Sequence, residues 1–561
     1  MKYLPLVFAF FQLFSEEHVS VRDVDLPQPV PTQEILDPEP VWIENLRGIV
    51  LLPPSSPLLS QKELQNIEGS HFLIRVPGNA ALLSQSLNTS YVGHPLTPSR
   101  IKELKDTIYA FYKRQDHPFI LIETPPQNFK AGVVQLRVFE STLGSLEIEG
   151  TRWSNPSQIK RWVHLQPGEP VQEAQLLDSI RFVNKNPFRN ATVVYKPGKK
   201  PLTTDIDIEV SEQRPFRLFG TLENNGVQWT GRQRWVFGLQ WANALNLGHF
   251  FAYQYVGSSD FSSFQAHTAT YIAYLPWENI LSFFGGYSTV NARVPGSARP
   301  SSGFSGQAST RYTVPLRSRG KWQHEIIAGA DYKTMNQTVE FGGENPTAAR
   351  FLNLFQFAGT YTVKWASPSF TCAIETDLLW SPGGWLPNQS DAAYDSLRLG
   401  AKNRWVYFRG RTNFFWRMPF GFETELKFEG QWASCNLLPS EQIGIGGFNT
   451  VRGYEERQLN KDSGIVASYE LRTPPFSLVK RKGKRKDLIQ FLGFIDYGYG
   501  TNHNQIPPIP ISQHLCGIGP GVRYQLLPYL MARLDWGWKL TNSSLFGGGP
   551  SMSHFSATAS F

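Results

Sequence analysis

Phe422-Glu423-Thr424-Glu425-Leu426-Lys427-Phe428-Glu429-Gly430-Gln431-Trp432 decides the fold. Side chains alternate along a strand, so Phe422, Leu426, Phe428 and Trp432 share one face and Glu423, Glu425, Lys427, Glu429 and Gln431 the other. A soluble sandwich buries its phenylalanines and tryptophans and rarely sets four charges opposite them. A strand with lipid on one side and a polar lumen on the other does both. The alternation returns at Leu530, Ala532, Leu534, Trp536 and Trp538, set against Met531, Arg533, Asp535 and Gly537.

Outward from that strand the text is β from Pro215 to Phe561. Short connections near Asn246, Trp277, Arg319, Ser367, Pro419, Gly483 and Pro528 alternate with long ones near Trp229, Ser258, Ser297, Gly343, Asn388, Thr450, Asn504 and Gly547. Those fifteen connections predict sixteen strands of about 9–12 residues, and an even number leaves both barrel ends on one side. Composition agrees: aromatics reach 14% and charged residues only 18%, the reverse of a disordered chain. Beyond the first twenty residues no apolar run approaches the length of a membrane helix. The excess of 54 basic over 46 acidic residues is thinly spread, apart from Lys480, Arg481, Lys482, Lys484, Arg485 and Lys486. No nucleic-acid motif accompanies that cluster, so it reads as a solvated short turn and no nucleic-acid partner is expected.

Upstream of the barrel the pattern changes to α/β. Thr97-Pro98-Ser99 opens a helix with Ile101, Leu104, Ile108 and Phe111 on one face. Around it the expected order is a strand over Trp42–Leu52, a helical region, this helix, and strands at Phe119–Glu123 and Val133–Phe139. The order repeats with a strand at Leu143–Glu149, a short helix from Asn155, a helix over Val171–Asn184, and strands at Ala191–Tyr195 and Thr204–Val210. At the start, Met1-Lys2 and an apolar stretch from Tyr3 to Phe14 have the form of a signal peptide cut between Ser15 and Ser20. Pro27, Pro29, Pro31, Pro38 and Pro40 then predict an extended, mobile linker and give little support to a long N-terminal plug helix. Cys372, Cys435 and Cys516 are odd in number and widely spaced, which argues against a disulfide framework.

No catalytic residue, metal site or cofactor is expected: C-x-x-C, H-E-x-x-H, G-x-S-x-G and a glycine-rich phosphate loop are all missing from the sequence. The most specific segment is instead Gly444-Ile445-Gly446-Gly447-Phe448-Asn449-Thr450-Val451-Arg452-Gly453-Tyr454. Downstream come Ser468-Tyr469-Glu470-Leu471-Arg472-Thr473-Pro474 and Phe494-Ile495-Asp496-Tyr497-Gly498. By alternation Glu470 points inward. Asp496 shares parity with Gln490 and Gly498, but also with the apolar Leu492 and Phe494.

These three motifs, in this order, resemble the two-partner secretion transporters of the BamA superfamily. Pro125-Pro126-Gln127-Asn128-Phe129-Lys130-Ala131-Gly132 resembles the junction in the first POTRA module of that group. Asn184-Lys185-Asn186-Pro187 with Lys196-Pro197-Gly198 resembles the matching part of the second. The resemblance implies a mainly β protein: signal peptide 1–20, proline-rich linker 21–40, POTRA modules 41–141 and 142–213, and a sixteen-stranded transmembrane barrel 214–561. A loop, 436–463, would fold back inside the barrel. It further implies a pore-loop motif of Val451, Arg452, Gly453 and Tyr454, with Arg452 meeting Asp496 and Glu470 as lumen partners. The terminal Phe561 resembles the insertion signal read by the barrel-assembly machinery.

The function so implied is export of an unfolded, separately encoded partner protein, captured by the POTRA modules in the periplasm and passed through a barrel held in outer-membrane lipid. The alternative is a BamA- or TamA-like insertase that assembles outer-membrane proteins. Two POTRA modules rather than more, and the Pro125-Pro126-Gln127 junction, favour secretion. A passive porin would need neither the modules nor the loop, and an enzyme would need a catalytic grouping.

Overall fold

The computed structural model describes residues 21–22, 39–292, 301–336, 351–481, 484–485, 487–505, 510–526, 528–541 and 549–561. The expected signal peptide, nearly all of the proline-rich linker, and the connections centred on Ser297, Gly343, Gly483 and Gly547 lie outside the described residues. The chain divides into two compact units between Gln213 and Arg214.

The strands of the first unit are β1 (Val21–Arg22), β2 (Gly48–Leu52), β3 (Gly69–Phe72), β4 (Ile120–Glu123), β5 (Val133–Glu140), β6 (Thr142–Glu149), β7 (Arg189–Pro197) and β8 (Thr203–Glu212). Its first module is the sheet β3-β2-β5-β4 under the helices Ala80–Tyr91 and Pro98–Arg114. The Thr97 hydroxyl accepts the Arg100 N–H at 3.3 Å, and Ile101, Leu104, Ile108 and Phe111 are buried against Ile49, Leu51, Val134 and Leu136. β2 is covered on its other face too, where Val50 and Leu52 pack on Leu64 and Val133. That is why Ile49 to Leu52 is an unbroken apolar run rather than an alternating one. The expected strand over Trp42–Leu52 starts only at Gly48, because Ile43 instead makes an isolated bridge to Leu96. The helical region also hides the strand β3, parallel to β2.

In the second module β6 runs parallel and β7 antiparallel to the central β8, with helices Pro156–Trp162 and Glu173–Val183. The linker expected to be mobile departs from that at Val21–Arg22, which pairs in parallel with Val193–Val194 of β7. β7 is otherwise an edge strand, and an edge has backbone groups free to pair. Both modules settle buried backbone with amide side chains. Gln127 donates to the Gln135 carbonyl and accepts its N–H, each at 2.8 Å. Asn184 does the same for Ala191, accepting at 2.6 Å and donating at 3.1 Å. At the same junction Pro125 is buried and Pro126 exposed, while Gly132 takes a positive φ of 69° beneath Asn45 and Arg47.

The second unit is a closed barrel of sixteen strands, as the alternation predicts. In chain order they are β9 (Phe216–Glu223), β10 (Arg234–Ala244), β11 (His249–Ser258), β12 (Phe264–Tyr274), β13 (Ile280–Ala292), β14 (Ser301–Arg319), β15 (Trp322–Met335), β16 (Leu352–Ala366), β17 (Phe370–Ser381), β18 (Trp405–Arg417), β19 (Glu423–Ala433), β22 (Ser463–Arg472), β25 (Leu488–Thr501), β26 (Ser512–Leu526), β27 (Leu530–Lys539) and β28 (Ser551–Ser560). Two small hairpins lie between barrel strands, β20 (Ile443–Ile445) with β21 (Leu459–Lys461), and β23 (Lys480–Arg481) with β24 (Lys484–Arg485). Closure is the pairing of Ser556–Ser560 with Phe219–Glu223. It is reinforced by Asn224, whose side chain brackets the Ser553 carbonyl at 2.7 Å and the Phe555 N–H at 2.8 Å.

Some expectations about the barrel change. Strands range from 8 residues in β9 to 19 in β14, because the β14 ladder continues to Ser301 against Ala292 and Arg319 against Trp322. The long connection expected near Ser258 spans only 259–263, folded tightly around Asp260, which accepts the N–H groups of Ser262 and Ser263. Of the basic cluster, Lys480–Arg481 and Lys484–Arg485 pair as the hairpin β23–β24, while Lys482 and Lys486 lie outside the described residues. The opening strand keeps its two faces: Phe428 is 46% and Trp432 60% exposed, whereas Glu425 is 9% exposed. An outer surface of this kind is satisfied by hydrocarbon.

Glu212, near the end of β8, accepts the N–H groups of Arg152 and Trp153 at 2.7 Å each and of Ser154 at 3.1 Å. Partial burial works against its charge, but the Ser154 side chain and these N–H groups outweigh it and hold the carboxyl below its ordinary 4.5. Ionised Glu212 therefore stabilises the second module above pH 4.5, and this contribution is lost as the pH falls through the depressed value. In a fragment of residues 39–213, Glu212→Gln is expected to lower the urea midpoint at pH 7, with the gap to wild type closing below pH 4.5. A pH-independent gap would rule out the charge as its cause.

Candidate functional site

The connection 434–462 leaves β19, folds into the lumen and returns to β22 through the hairpin β20–β21. At its turn Val451, Arg452 and Tyr454 are all buried. Arg452 meets Asp496 of β25 side-on, Nε to Oδ2 at 2.7 Å and Nη2 to Oδ1 at 2.8 Å, and its backbone N–H reaches the same carboxylate at 3.0 Å. Nη1 donates to Glu470 of β22. Ser468 accepts from Nη2 at 3.2 Å and donates to Asp496 at 2.6 Å. Beneath the guanidinium, at 3.6 Å, lies the Phe494 ring. That contact accounts for an apolar residue on the inward parity of Asp496: the ring is the floor of the site, and a desolvated cation over an aromatic face is favourable.

Sequence reading named Arg452, Asp496 and Glu470 but missed what surrounds them. Arg523 of β26 bonds to Asp535 of β27 at 2.7 Å and lies 3.4 Å from Glu470. Arg533 bonds to the same Asp535 at 2.6 Å, stacks at 3.9 Å over Phe448 of the loop and donates to its carbonyl at 2.8 Å. Arg472 joins Glu470 to Glu425. Four guanidinium groups (Arg452, Arg472, Arg523, Arg533), together with Lys427 at 3.1 Å from Glu425, thus face four carboxylates (Glu425, Glu470, Asp496, Asp535). The inward parity of Arg533 and Asp535 is visible in the sequence; their convergence on Arg452 is not.

The other motif residues fix the backbone. Tyr454 donates its hydroxyl to the Cys516 carbonyl at 2.9 Å. Gly453, at φ 95°, donates its N–H to His554 Nε2 on the last strand at 3.0 Å, which leaves the imidazole proton on Nδ1. The loop lies directly on strand backbone here: a Cβ on Gly453 would stand 2.9 Å from the Gly537 carbonyl oxygen, and one on Gly517 would strike the Arg452 carbonyl. By contrast Phe561 is 82% exposed on the outside, its backbone exchanging hydrogen bonds with Leu218. The cysteines Cys372, Cys435 and Cys516 are free.

Residues 203–524 match the haemolysin secretion/activation protein family ShlB/FhaC/HecB, which is more than half of the chain. The chain belongs to this family. It is an outer-membrane transporter of two-partner secretion, and the insertase alternative gains no support. Among its relatives, the heme/hemopexin transporter protein HuxB of Haemophilus influenzae (strain 86-028NP) is 21% identical over 458 residues, covering 78% of this chain and 76% of its own. The outer membrane transporter CdiB of Dickeya dadantii (strain 3937) is 21% identical over 497 residues, covering 82% and 81%. In fold the transporter resembles CdiB from Escherichia coli, with a TM-score of 0.75 at 15% identity over 96% of this chain and 93% of that one. CdiB from Acinetobacter baumannii gives 0.69 at 14%, over 99% and 97%.

In the transporter, Gly453→Ala adds a methyl group against the Gly537 backbone and forces a non-glycine residue to positive φ, the latter alone costing about 1–3 kcal/mol. The expected result is a loop that no longer seats, read as new trypsin cleavage at Arg452 or Arg457 in the folded protein. Wild-type resistance in the variant would show that the loop tolerates the methyl group.

Proposed function

We propose that the loop 436–463 closes the lumen between transport events and that Arg452 is its latch. The observation that carries this is the buried ion-pair cluster: Arg452 is 2% exposed and shares Asp496 and Glu470 with two strands of the wall. A buried charge stripped of its partner costs about 3–5 kcal/mol, so the seated loop is strongly preferred until those partners are replaced. The passenger, a separately encoded protein delivered unfolded, is taken up in the periplasm by the two POTRA modules through strand addition to an exposed sheet edge. β7 is suited to that role, since on its outer edge only Val193 and Val194 of its nine residues are paired, with Val21–Arg22. The Gln127–Gln135 amide pair keeps the Pro125–Gly132 junction rigid beside β5. Directionality comes from the passenger folding outside the cell or from strand exchange. The outward aromatics rest in outer-membrane lipid, and Phe561 addresses the nascent barrel to the assembly machinery.

Arg452→Ala leaves Asp496 and Glu470 short of a cation and is expected to abolish passenger secretion while the barrel still inserts, checked by heat-modifiable migration of the outer-membrane fraction. Normal secretion at normal barrel level would remove the latch from the mechanism. Deletion of Phe561 is expected to do the opposite, lowering the amount of inserted barrel while each inserted molecule secretes normally. Unchanged barrel levels would show that Phe561 is not the assembly signal.

A further inference from the structure

The loop is held at a second place besides Arg452. Glu441, 1% exposed, lies near the root of the loop. Its carboxylate accepts from Lys333 Nζ of β15 at 2.6 Å, from the Tyr407 hydroxyl of β18 at 3.1 Å and from Ser440 Oγ at 2.9 Å. Its carbonyl accepts from Gln431 Nε2 at 3.0 Å, and the same amide donates to the Asp462 carbonyl at 2.9 Å, so the two feet of the loop share one side chain.

Counting round the closed barrel from β9, β15 is the seventh strand and β27 the fifteenth. In a ring of sixteen these are opposite. Lys333 of β15 holds Glu441, and Arg533 of β27 holds the Phe448 carbonyl at 2.8 Å. The seven peptide units between Glu441 and Phe448 can span at most about 24 Å. Within them Ile443 and Ile445 pack with Val466 of β22 and Leu515 of β26, so the stretch is held against the wall between its two basic contacts.

We propose that Glu441 is a positioning residue of the transport cycle. Its bonds to Lys333 of β15 and Tyr407 of β18 fasten the root of the loop to the wall, making the loop a strut fixed at root and tip rather than at Arg452 alone. Loss of the latch at Arg452 then opens the lumen only in part, and full opening requires the Glu441 contact to break as well. This rests on the reading of the loop as the closure of the lumen.

The test is the resting conductance of the purified full-length protein in planar bilayers, measured for wild type, Arg452→Ala, Glu441→Gln and the double variant, each checked for heat-modifiable migration. The expected result is a partial rise for each single variant and a larger rise, beyond their sum, for the double. Lys333→Met removes the cation from the wall without touching the loop sequence; it is expected to reproduce Glu441→Gln, and Lys333→Arg to restore wild-type conductance. Glu441→Gln and Lys333→Met channels indistinguishable from wild type, and no addition to Arg452→Ala, would overturn the strut. Wild-type conductance in Arg452→Ala and in the double variant alike would overturn the closure reading itself.

Discussion

Everything inside this barrel is arranged around one constraint: a guanidinium that has been taken out of water must be surrounded by its own charge in carboxylate. Arg452 is the most buried of the four arginines in its cluster, and Asp496 and Asp535 are wholly buried with it. Burying ions is costly unless geometry and hydrogen bonding are nearly complete. The side-on pairing with Asp496, the donation to Glu470 and the Ser468 hydroxyl between them supply that completeness. The price is paid in backbone: the chain carrying Arg452 must lie on the strands themselves, which small residues at Gly453, Gly517 and Gly537 allow. Charge and close approach are therefore one design, since neither the cation nor the glycines make sense without the other.

How much of this was legible in the sequence follows from what periodicity encodes. Alternation fixes which face a residue is on, so the two faces of β19 and the number of strands could be read directly. It says nothing about what lies across the lumen. Lys333 and Glu441 are 108 residues apart, and no local pattern marks them as partners. Arg533 and Asp535 announce their inward direction but not their meeting with Arg452. Phe494 misled the parity reading because an aromatic ring was serving a cation rather than lipid. In the modules, the unbroken run Ile49 to Leu52 was legible as a strand, but the two-sided burial that produces it depends on Leu64 and Val133, whose positions only the fold supplies. Motif resemblance reached the arginine, the aspartate and the glutamate; the other charged members of the cluster are brought to them only by the barrel's closure.

The shared cluster also limits how the loop can leave. If Arg452 withdraws, Glu425, Glu470 and Asp535 keep Lys427, Arg472, Arg523 and Arg533, and the excess negative charge is local to Asp496, whose ion pair among the described residues is with Arg452. The excess charge sits among groups that the loop itself had shielded, and it is tolerated only if water or a cationic group arrives as the arginine goes. In the proposed cycle, opening would thus be tied to hydration of Asp496. The same step leaves Phe494 without its cation and Phe448 separated from Arg533, exposing two aromatic rings to the passing chain. In the proposed cycle the wall presented to a passenger would thus differ from the wall that holds the loop, although it is built from the same side chains: closed, Asp496 is paired with Arg452; open, it would be a hydrated carboxylate beside two uncovered aromatic rings.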